Sequence, residues 1–372
     1  VNYVFIKNST FIKNEVSLND FYHYDSEGGS IFVMNTELFK SIGCKFLLNT
    51  AAYAGSVYIE TWEPMTEMNW SVIFLSCFFA KNRAVGYFVS FAGALEISES
   101  FDAYSLHTFV VLSHCIFLRN IAKTDAGALY IFRADLVLIA NSNFSSNKAK
   151  NDAGAIEILD KGNINIKNSI FAKNFAGEQG GAVKLLNNMK ADINVICCLF
   201  THNKVHVVAA ALYIEINTYR KHSHARFRSL CNNFYGNEII HDTKKQHDRL
   251  QGRGSIFLHS CSNVTFTDCI FENNSVTTKG GSAYIEIALN LLIDNCNFIR
   301  NYAGWDGSLY ALNIDSFSVT KSKFVKNRVN KYGGAIRVVI KEKMLISYSL
   351  FQNNYAKDTG SVLFVNCDIN LR

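Results

Sequence analysis

Apolar and polar residues alternate in short runs that recur along the whole chain. In each run two aliphatic residues flank one that is polar or aromatic in nearly every case, as in Leu129-Tyr130-Ile131 and Ile156-Glu157-Ile158. A period of two is typical of a β-strand with one buried face. The runs are too short for helices of about 10–12 residues, and each run follows a step of two small residues drawn from Gly, Ala and Ser. The pattern therefore predicts an all-β protein.

A second motif recurs in phase with these runs, because twelve times a Phe is followed three residues later by an Asn. The Asn members are Asn14, Asn49, Asn82, Asn120, Asn147, Asn174, Asn203, Asn237, Asn274, Asn301, Asn327 and Asn354. The basic spacing from one pair to the next is about 27 residues, which holds two or three short strands. A fixed period of this size indicates stacked repeats. We therefore predict a β-solenoid of about twelve parallel turns, forming a single domain over residues 1–372.

The Phe and Asn of each pair have structural roles in this prediction. The Phe would point inward and stack on its equivalents. The Asn would occupy a sharp bend in the left-handed backbone region, with its amide bonded to the Asn of adjacent turns. Cys or Ser stands two residues before the Phe in nearly every turn, which indicates a small buried position. The sequence leaves open whether stacked neighbours such as Cys269 and Cys296 form a disulfide.

The most complete copy of the repeat resembles a known family. Gly333-Gly334-Ala335-Ile336 with Phe324-Val325-Lys326-Asn327 is similar to the repeats of the chlamydial polymorphic outer-membrane proteins and of related pectin-lyase-like proteins. The resemblance implies a right-handed parallel β-helix over almost the whole chain. It also implies a place at the cell surface, where most of those relatives serve as surface proteins and adhesins.

The net charge of +6 is concentrated in one segment. Residues 218–253 contain eight Lys or Arg and three acids, so the rest of the chain is nearly neutral and no nucleic-acid surface is predicted. Four His in the same segment match no closed metal site, and we expect no metal and no cofactor. No apolar run reaches the roughly 18 residues of a membrane span. Arg220, Lys221, Lys244 and Lys245 are instead candidate contacts for a partner.

Four insertions lengthen individual turns and predict loops, near residues 15–26, 61–70, 98–107 and 218–253. Asn69, in the second of them, is a candidate glycosylation site because Trp70 and Ser71 complete an Asn-x-Ser sequon. The chain begins within a turn and Asn366-Cys367-Asp368 resembles the start of another. We expect that both ends continue or are capped by further residues, or that they join end to end with other subunits.

The residue three places after each small-residue step defines a column that we call the stripe, and we expect it to face outward. Its members are Phe32, Tyr58, Glu96, Tyr130, Glu157, Lys184, Tyr213, Phe257, Tyr284, Tyr310, Arg337 and Leu363. Phe257, Tyr284 and Tyr310 would stack on consecutive turns with Arg337 at the end. Such a row either stabilises the sheet or receives a sugar ring or a protein partner.

Two functions follow from these patterns. The first is a non-enzymatic structural or adhesive β-helix outside the cell, whose loops, stripe and ends contact other subunits or a glycan, with assembly into a filament as one form of it. The alternative is a protein that binds or cleaves polysaccharide. Cleavage needs paired carboxylates, for which the candidates are Glu60, Glu96, Glu157, Glu215 and Glu286. Glu157 and Lys184 are one turn apart, and we expect a weak surface ion pair between them.

Overall fold

The computed structural model describes residues 2–16, 28–61, 70–86, 90–99, 107–187, 190–216, 224–240 and 252–367. Within these ranges every regular element is a β-strand, and all strand pairs are parallel. Contacts divide the chain into two compact units, one made of residues 1–177 and 182–184 and the other of residues 178–181 and 185–372. Each unit is a right-handed parallel β-helix with three sheets, which confirms the predicted fold class.

The first sheet contains the Phe of every repeat and is called the Phe sheet. In the first unit its strands are Thr10–Ile12, Lys45–Leu47, Phe78–Ala80, Ile116–Leu118, Asn143–Ser145 and Ile170–Ala172. In the second unit they are Leu199–Thr201, Asn233–Tyr235, Ile270–Glu272, Asn297–Ile299, Lys323–Val325 and Leu350–Gln352.

The second sheet follows the Asn of each repeat and is called the short sheet. Its strands in the first unit are Thr50–Ala51, Arg83–Ala84, Ile121–Ala122, Lys148–Ala149 and Phe175–Ala176. Those in the second unit are Lys204–Val205, Glu238–Ile239, Ser275–Val276, Tyr302–Ala303, Arg328–Val329 and Tyr355–Ala356.

The third sheet follows the small-residue step, contains the stripe and is called the long sheet. Its strands in the first unit are Tyr3–Lys7, Ile31–Met34, Leu38–Ile42, Val57–Thr61, Trp70–Leu75, Leu95–Glu99, Thr108–Ser113, Leu129–Ala140 and Ile156–Lys167. The strand Val183–Asn187 begins in the first unit and ends in the second. The remaining strands are Asp192–Ile196, Leu212–Ile216, Arg226–Leu230, Ile256–His259, Asn263–Thr267, Ala283–Asp294, Leu309–Thr320, Ile336–Ser347 and Leu363–Cys367.

A stack of Phe rings fills the interior beside the Phe sheet of each unit. Phe79 and Phe117 are fully buried, and their ring centroids lie 4.6 Å apart with an angle of 1° between the planes. Phe298 and Phe324 of the second unit are 4.5 Å apart with the same angle. The rings stack because parallel strands in register place equivalent residues directly above one another, about 4.8 Å apart. Burial of these rings removes a large apolar area from water and stabilises the interior.

The Asn side chains form a hydrogen-bonded ladder within each unit. Asn120 Oδ1 accepts bonds from the backbone N and the Nδ2 of Asn82, each at 3.0 Å. Asn120 Nδ2 donates to the Phe79 carbonyl and to Asn147 Oδ1, again at 3.0 Å. The same contacts join Asn237, Asn274 and Asn301 in the second unit. The amides therefore satisfy buried backbone groups at every bend.

The bend itself differs from the sequence prediction in one respect. The residue in the left-handed region is the one before the Asn, for example Arg119 with φ 54° and Lys326 with φ 56°. The side chain of that residue points outward, whereas the Asn must turn its amide inward to reach the next turn. The predicted left-handed conformation of the Asn was wrong. The ladder fixes the Asn side chain, and the residue before the Asn adopts the left-handed conformation instead.

The small-residue step is required by close approach of the backbones. A Cβ on Gly127 would lie 2.1 Å from the Gly154 carbonyl oxygen, so no side chain fits there. The residue after the step is Ala or Ser in every turn, and in the interior turns it is buried against the Asn ladder. Ser308 Oγ donates to Asn327 Oδ1 at 3.1 Å. Only Ala or Ser can fill a position this close to the ladder.

Candidate functional site

Several residues assigned to a partner surface lie outside the described residues. These are Arg220, Lys221, Lys244 and Lys245, together with the candidate glycosylation site Asn69. The predicted loop insertions fall largely in the same ranges. Their roles stay predictions, and the site considered below is built from the stripe and its neighbours.

The stripe of the second unit is a continuous stack of rings. The centroids of Tyr213 and Phe257 lie 5.0 Å apart, those of Phe257 and Tyr284 5.5 Å, and those of Tyr284 and Tyr310 4.9 Å. The four side chains are only 1–3% exposed, so the expected exposed row is not present. In the last turn Arg337 pairs with Phe364, which therefore replaces Leu363 as the stripe member.

These rings are covered although they point away from the helix interior. Val207, Val208 and Ala209 belong to the same buried cluster as the rings, and Leu186 and Leu312 pack against that cluster. The covering segment runs with the long sheet, as shown by bridges such as that between Val208 and Arg253. The ring faces are consequently unavailable to a partner, and the rings stabilise the sheet.

Three cations lie over the edge of this stack and are the accessible part of the site. The Arg253 guanidinium is 5.0 Å from the Tyr284 centroid, and the Lys279 ammonium is 5.2 Å from the Tyr310 centroid. The Arg337 guanidinium is 5.3 Å from the Tyr310 centroid and also lies over Tyr332. The three side chains are 19–29% exposed, and we call them the cation row.

Two carboxylates accompany the cation row. Asp306 is 3% exposed and forms ion pairs with Arg337 and Lys279. Glu286 lies 3.5 Å from Arg253 and 3.6 Å from His259. The hydrogen bond from His259 and the nearby cations hold the pKa of Glu286 below its usual value, although burial opposes the shift. Burial lowers the pKa of Lys279 despite the neighbouring Asp306. With three cations and two carboxylates, the formal charge of this cluster is positive.

The stripe of the first unit has a different chemistry. Glu96, Tyr130 and Glu157 are paired on successive turns and are 2%, 6% and 3% exposed. Lys184 Nζ lies 3.0 Å from Glu157 Oε1 and 2.6 Å from Asp152 Oδ2. The ion pair predicted for Glu157 and Lys184 is present, but it is buried rather than on the surface.

Burial has the largest effect on the pKa of Glu157. It raises the pKa of Glu157 to about 7, and Lys184 offsets only part of the shift. The second carboxylate oxygen of Glu157 is buried and has no hydrogen-bond partner among the described residues. Burial disfavours the charged form of Lys184 too, but Glu157 and Asp152 outweigh it and raise the pKa of the ammonium. The cluster is a closed network in which one cation is shared by two acids.

Sequence analysis missed the residues just before the step as members of the site. Arg253, Lys279, Asp306 and Tyr332 occupy this column and lie beside the stripe. Their signal was present, since four consecutive turns carry a charged or aromatic residue immediately before a Gly. Arg253 was instead counted among the charged residues of the predicted loop at residues 218–253.

Within the described ranges no group of three or more His, Cys, Asp or Glu could hold a metal ion. Nor does any helix in that part of the chain have the length and apolar character to cross a membrane. Comparison with protein-family models, with curated proteins and with solved structures gives no match to this chain.

Proposed function

We propose that the protein is a non-enzymatic structural or adhesive β-helix of the cell surface, and that the cation row is its contact for acidic partners. The proposal rests on one observation: Arg253, Lys279 and Arg337 present charge over a ring stack that is itself buried. Arg253 and Lys279 lie before the step on successive turns, and Arg337 lies further along the stack, so the cation row presents several positive charges to a polymer with repeated anionic groups. Guanidinium groups bind carboxylates and sulfates through paired hydrogen bonds.

The resemblance of the Gly-Gly-Ala-Ile and Phe-x-x-Asn repeats to the polymorphic outer-membrane proteins supports the same proposal. We infer from it a pectin-lyase-like protein that acts outside the cell. The inferred partners are an acidic glycan or another protein subunit, and assembly into a filament is the structural form of this function.

Binding of acidic polysaccharides by the full chain tests the cation row. Polygalacturonate and a sulfated glycan are the probes, and Arg253→Gln with Lys279→Gln is the test variant. Loss of two charge-assisted contacts should weaken binding by at least about tenfold. Lys148→Gln is the matched control, because Lys148 also lies over an aromatic ring, that of Phe175 in the first unit. Equal binding by both variants, or no binding of either probe by the wild type, would overturn the assignment.

Electron microscopy of the protein from its native source tests the structural form. Ordered filaments or sheets are the expected result for a subunit of an assembly. Monodisperse single particles that still bind acidic glycan would favour adhesion.

Cleavage of polysaccharide is the second candidate, and one observation favours it. Glu157 has a pKa of about 7 and shares Lys184 with Asp152, and a carboxyl group that holds its proton near neutral pH can act as a general acid. Its 3% exposure leaves little access for a substrate. New reducing ends from polygalacturonate, lost in Glu157→Gln but kept in Glu286→Gln, would establish this activity in place of the first proposal.

A further inference from the structure

The second unit holds a pair of exposed cysteines at one corner of the β-helix. Cys197 and Cys231 lie at the bend between the long sheet and the Phe sheet, on successive turns. Both adopt the left-handed conformation, with φ 50° and 58°. Three of the ten cysteines are exposed, namely Cys197, Cys231 and Cys367. Cys231 stands three residues before Phe234, one place away from the buried cysteine position, and belongs to this outer column.

The backbone holds the two residues in register. Ile196 pairs with Leu230 immediately before them, and Cys197 N donates to the Leu230 carbonyl at 2.8 Å. Cys231 N continues the ladder to the Thr267 carbonyl at 3.0 Å. Adjacent strands in such a ladder are about 4.8 Å apart. A disulfide spans Cα atoms that are about 4.4–6.8 Å apart, so the strand spacing at these two positions falls within that range.

Side chains in this outer column do reach their equivalents on the next turn. Asn295 Nδ2 donates to Asp268 Oδ1 at 2.6 Å, and these residues occupy the same bend two turns further on. Cys231 and Cys197 make the corresponding contact, with a hydrogen bond between the thiols that raises the pKa of Cys231. The two sulfur atoms are thus neighbours at the surface.

We propose that Cys197 and Cys231 are a redox-active pair that closes to an intramolecular disulfide by exchange with a disulfide in the surroundings. The Cys197 thiolate attacks one sulfur of an external disulfide, forms a mixed disulfide and releases one thiol. The Cys231 sulfur then attacks Cys197 Sγ and releases the second thiol. The external disulfide is reduced to two thiols while the pair loses two protons and two electrons, so the step balances. This inference does not depend on the proposed function.

The buried cysteines of the same unit provide an internal control. Cys269 and Cys296 are also stacked on successive turns, and Cys269 N donates to Cys296 Sγ at 3.4 Å. Both are fully buried, so an external disulfide cannot reach them. Accessibility, rather than spacing, distinguishes the two pairs.

The test is thiol titration of the reduced full chain before and after incubation with oxidised glutathione. A Cys367→Ser background removes the third exposed thiol. Two thiols should react rapidly before oxidation and none afterwards, with a mass loss of about 2 Da from two hydrogens and a Cys197–Cys231 cross-link in the peptide map. In Cys231→Ser, Cys197 should instead retain a glutathione adduct. The proposal would be overturned if two thiols stayed rapidly reactive after oxidation, or if each cysteine carried its own glutathione adduct. A disulfide between two chains, or a cross-link that the peptide map places at Cys269 and Cys296, would also overturn it.

Discussion

The stripes of the two units occupy the same position in the repeat but carry different chemistry. In the first unit Glu96, Tyr130 and Glu157 are buried together, and Lys184 is the cation that neutralises the acids at its end. In the second unit the stripe is a stack of four rings, and the charges lie at its edge on the cation row. One position therefore holds a buried charge network in one unit and an apolar stack with accessible cations in the other.

The interior explains why such a difference is tolerated. The Phe stack and the Asn ladder have the same geometry in both units, with ring centroids 4.6 Å apart for Phe79 and Phe117 and for Phe271 and Phe298. The stripe points away from that interior and packs only against the segments beside it. The two stripes therefore differ without any difference in the geometry of the interior, and this column is free to acquire separate roles in each unit.

The largest effect on the comparison should come from Lys184→Met. The change leaves the buried Glu157 and the half-buried Asp152 without a cation, and loss of one partner of a buried pair costs about 3–5 kcal/mol. Urea unfolding at pH 8 measures the loss of stability. The triple variant Lys184→Met, Glu157→Gln and Asp152→Asn is the control and should recover most of it, because no buried charge remains. A loss under about 1 kcal/mol for the single change would contradict a closed network.

The ladder should respond equally in both units. Asn120→Ala and Asn274→Ala each remove a buried amide that makes four hydrogen bonds of 2.9–3.1 Å to the ladder and the backbone. Asn274 Oδ1 also accepts a longer bond of 3.3 Å from Ser255 Oγ. Leaving those partners unsatisfied should cost about 2–4 kcal/mol in each variant. Asn14→Ala is the control at an exposed position and should cost less. Unequal losses for Asn120 and Asn274 would show that the units differ in their interior and not only in their stripes.

This contrast also explains which features could be predicted from the sequence. The turns, the ladder and the ring stacks repeat twelve times, so each position was constrained by its equivalents. The burial of Phe257 and Glu157 could not be predicted, because alternation assigns a residue to a face but does not say what covers that face. Of the cation row, Arg337 was predicted as a stripe residue, but Lys279 was missed for a related reason, since Lys279 and Tyr310 meet across a bend rather than along one strand.

Glu157 in the stripe of the first unit and Glu286 beside the cation row of the second should respond oppositely to pH. The pKa of Glu157 is raised to about 7, so the folded state retains a proton that the unfolded state loses above about pH 4.5. Stability should therefore fall by about 1–3 kcal/mol as pH rises from 4.5 to 7. The pKa of Glu286 is lowered, so its contribution is present above the unfolded pKa and is lost as pH falls through the folded pKa.

Paired variants separate these opposing contributions. Urea unfolding of Glu157→Gln across pH 4–8 should remove the decline at higher pH. Glu286→Gln should instead reduce stability near neutral pH and have little effect in acid. If both variants change the pH profile in the same direction, the assignment of one buried and one ion-paired carboxyl is wrong.

The smallest effect is expected for the cation row itself. Arg253 lies over Tyr284 and near Glu286 but is 19% exposed, so Arg253→Met should cost only about 0.5–1 kcal/mol. Lys148→Met, at the exposed cation over Phe175, is the control and should cost no more than about 0.5 kcal/mol. Thermal unfolding of both variants gives the comparison. If Arg253→Met loses little stability but binds acidic glycan weakly, the role of Arg253 in binding is distinct from its role in stability. A loss above about 3 kcal/mol would mean that the cation row holds the second unit together, and weakened binding could then no longer be ascribed to a lost contact.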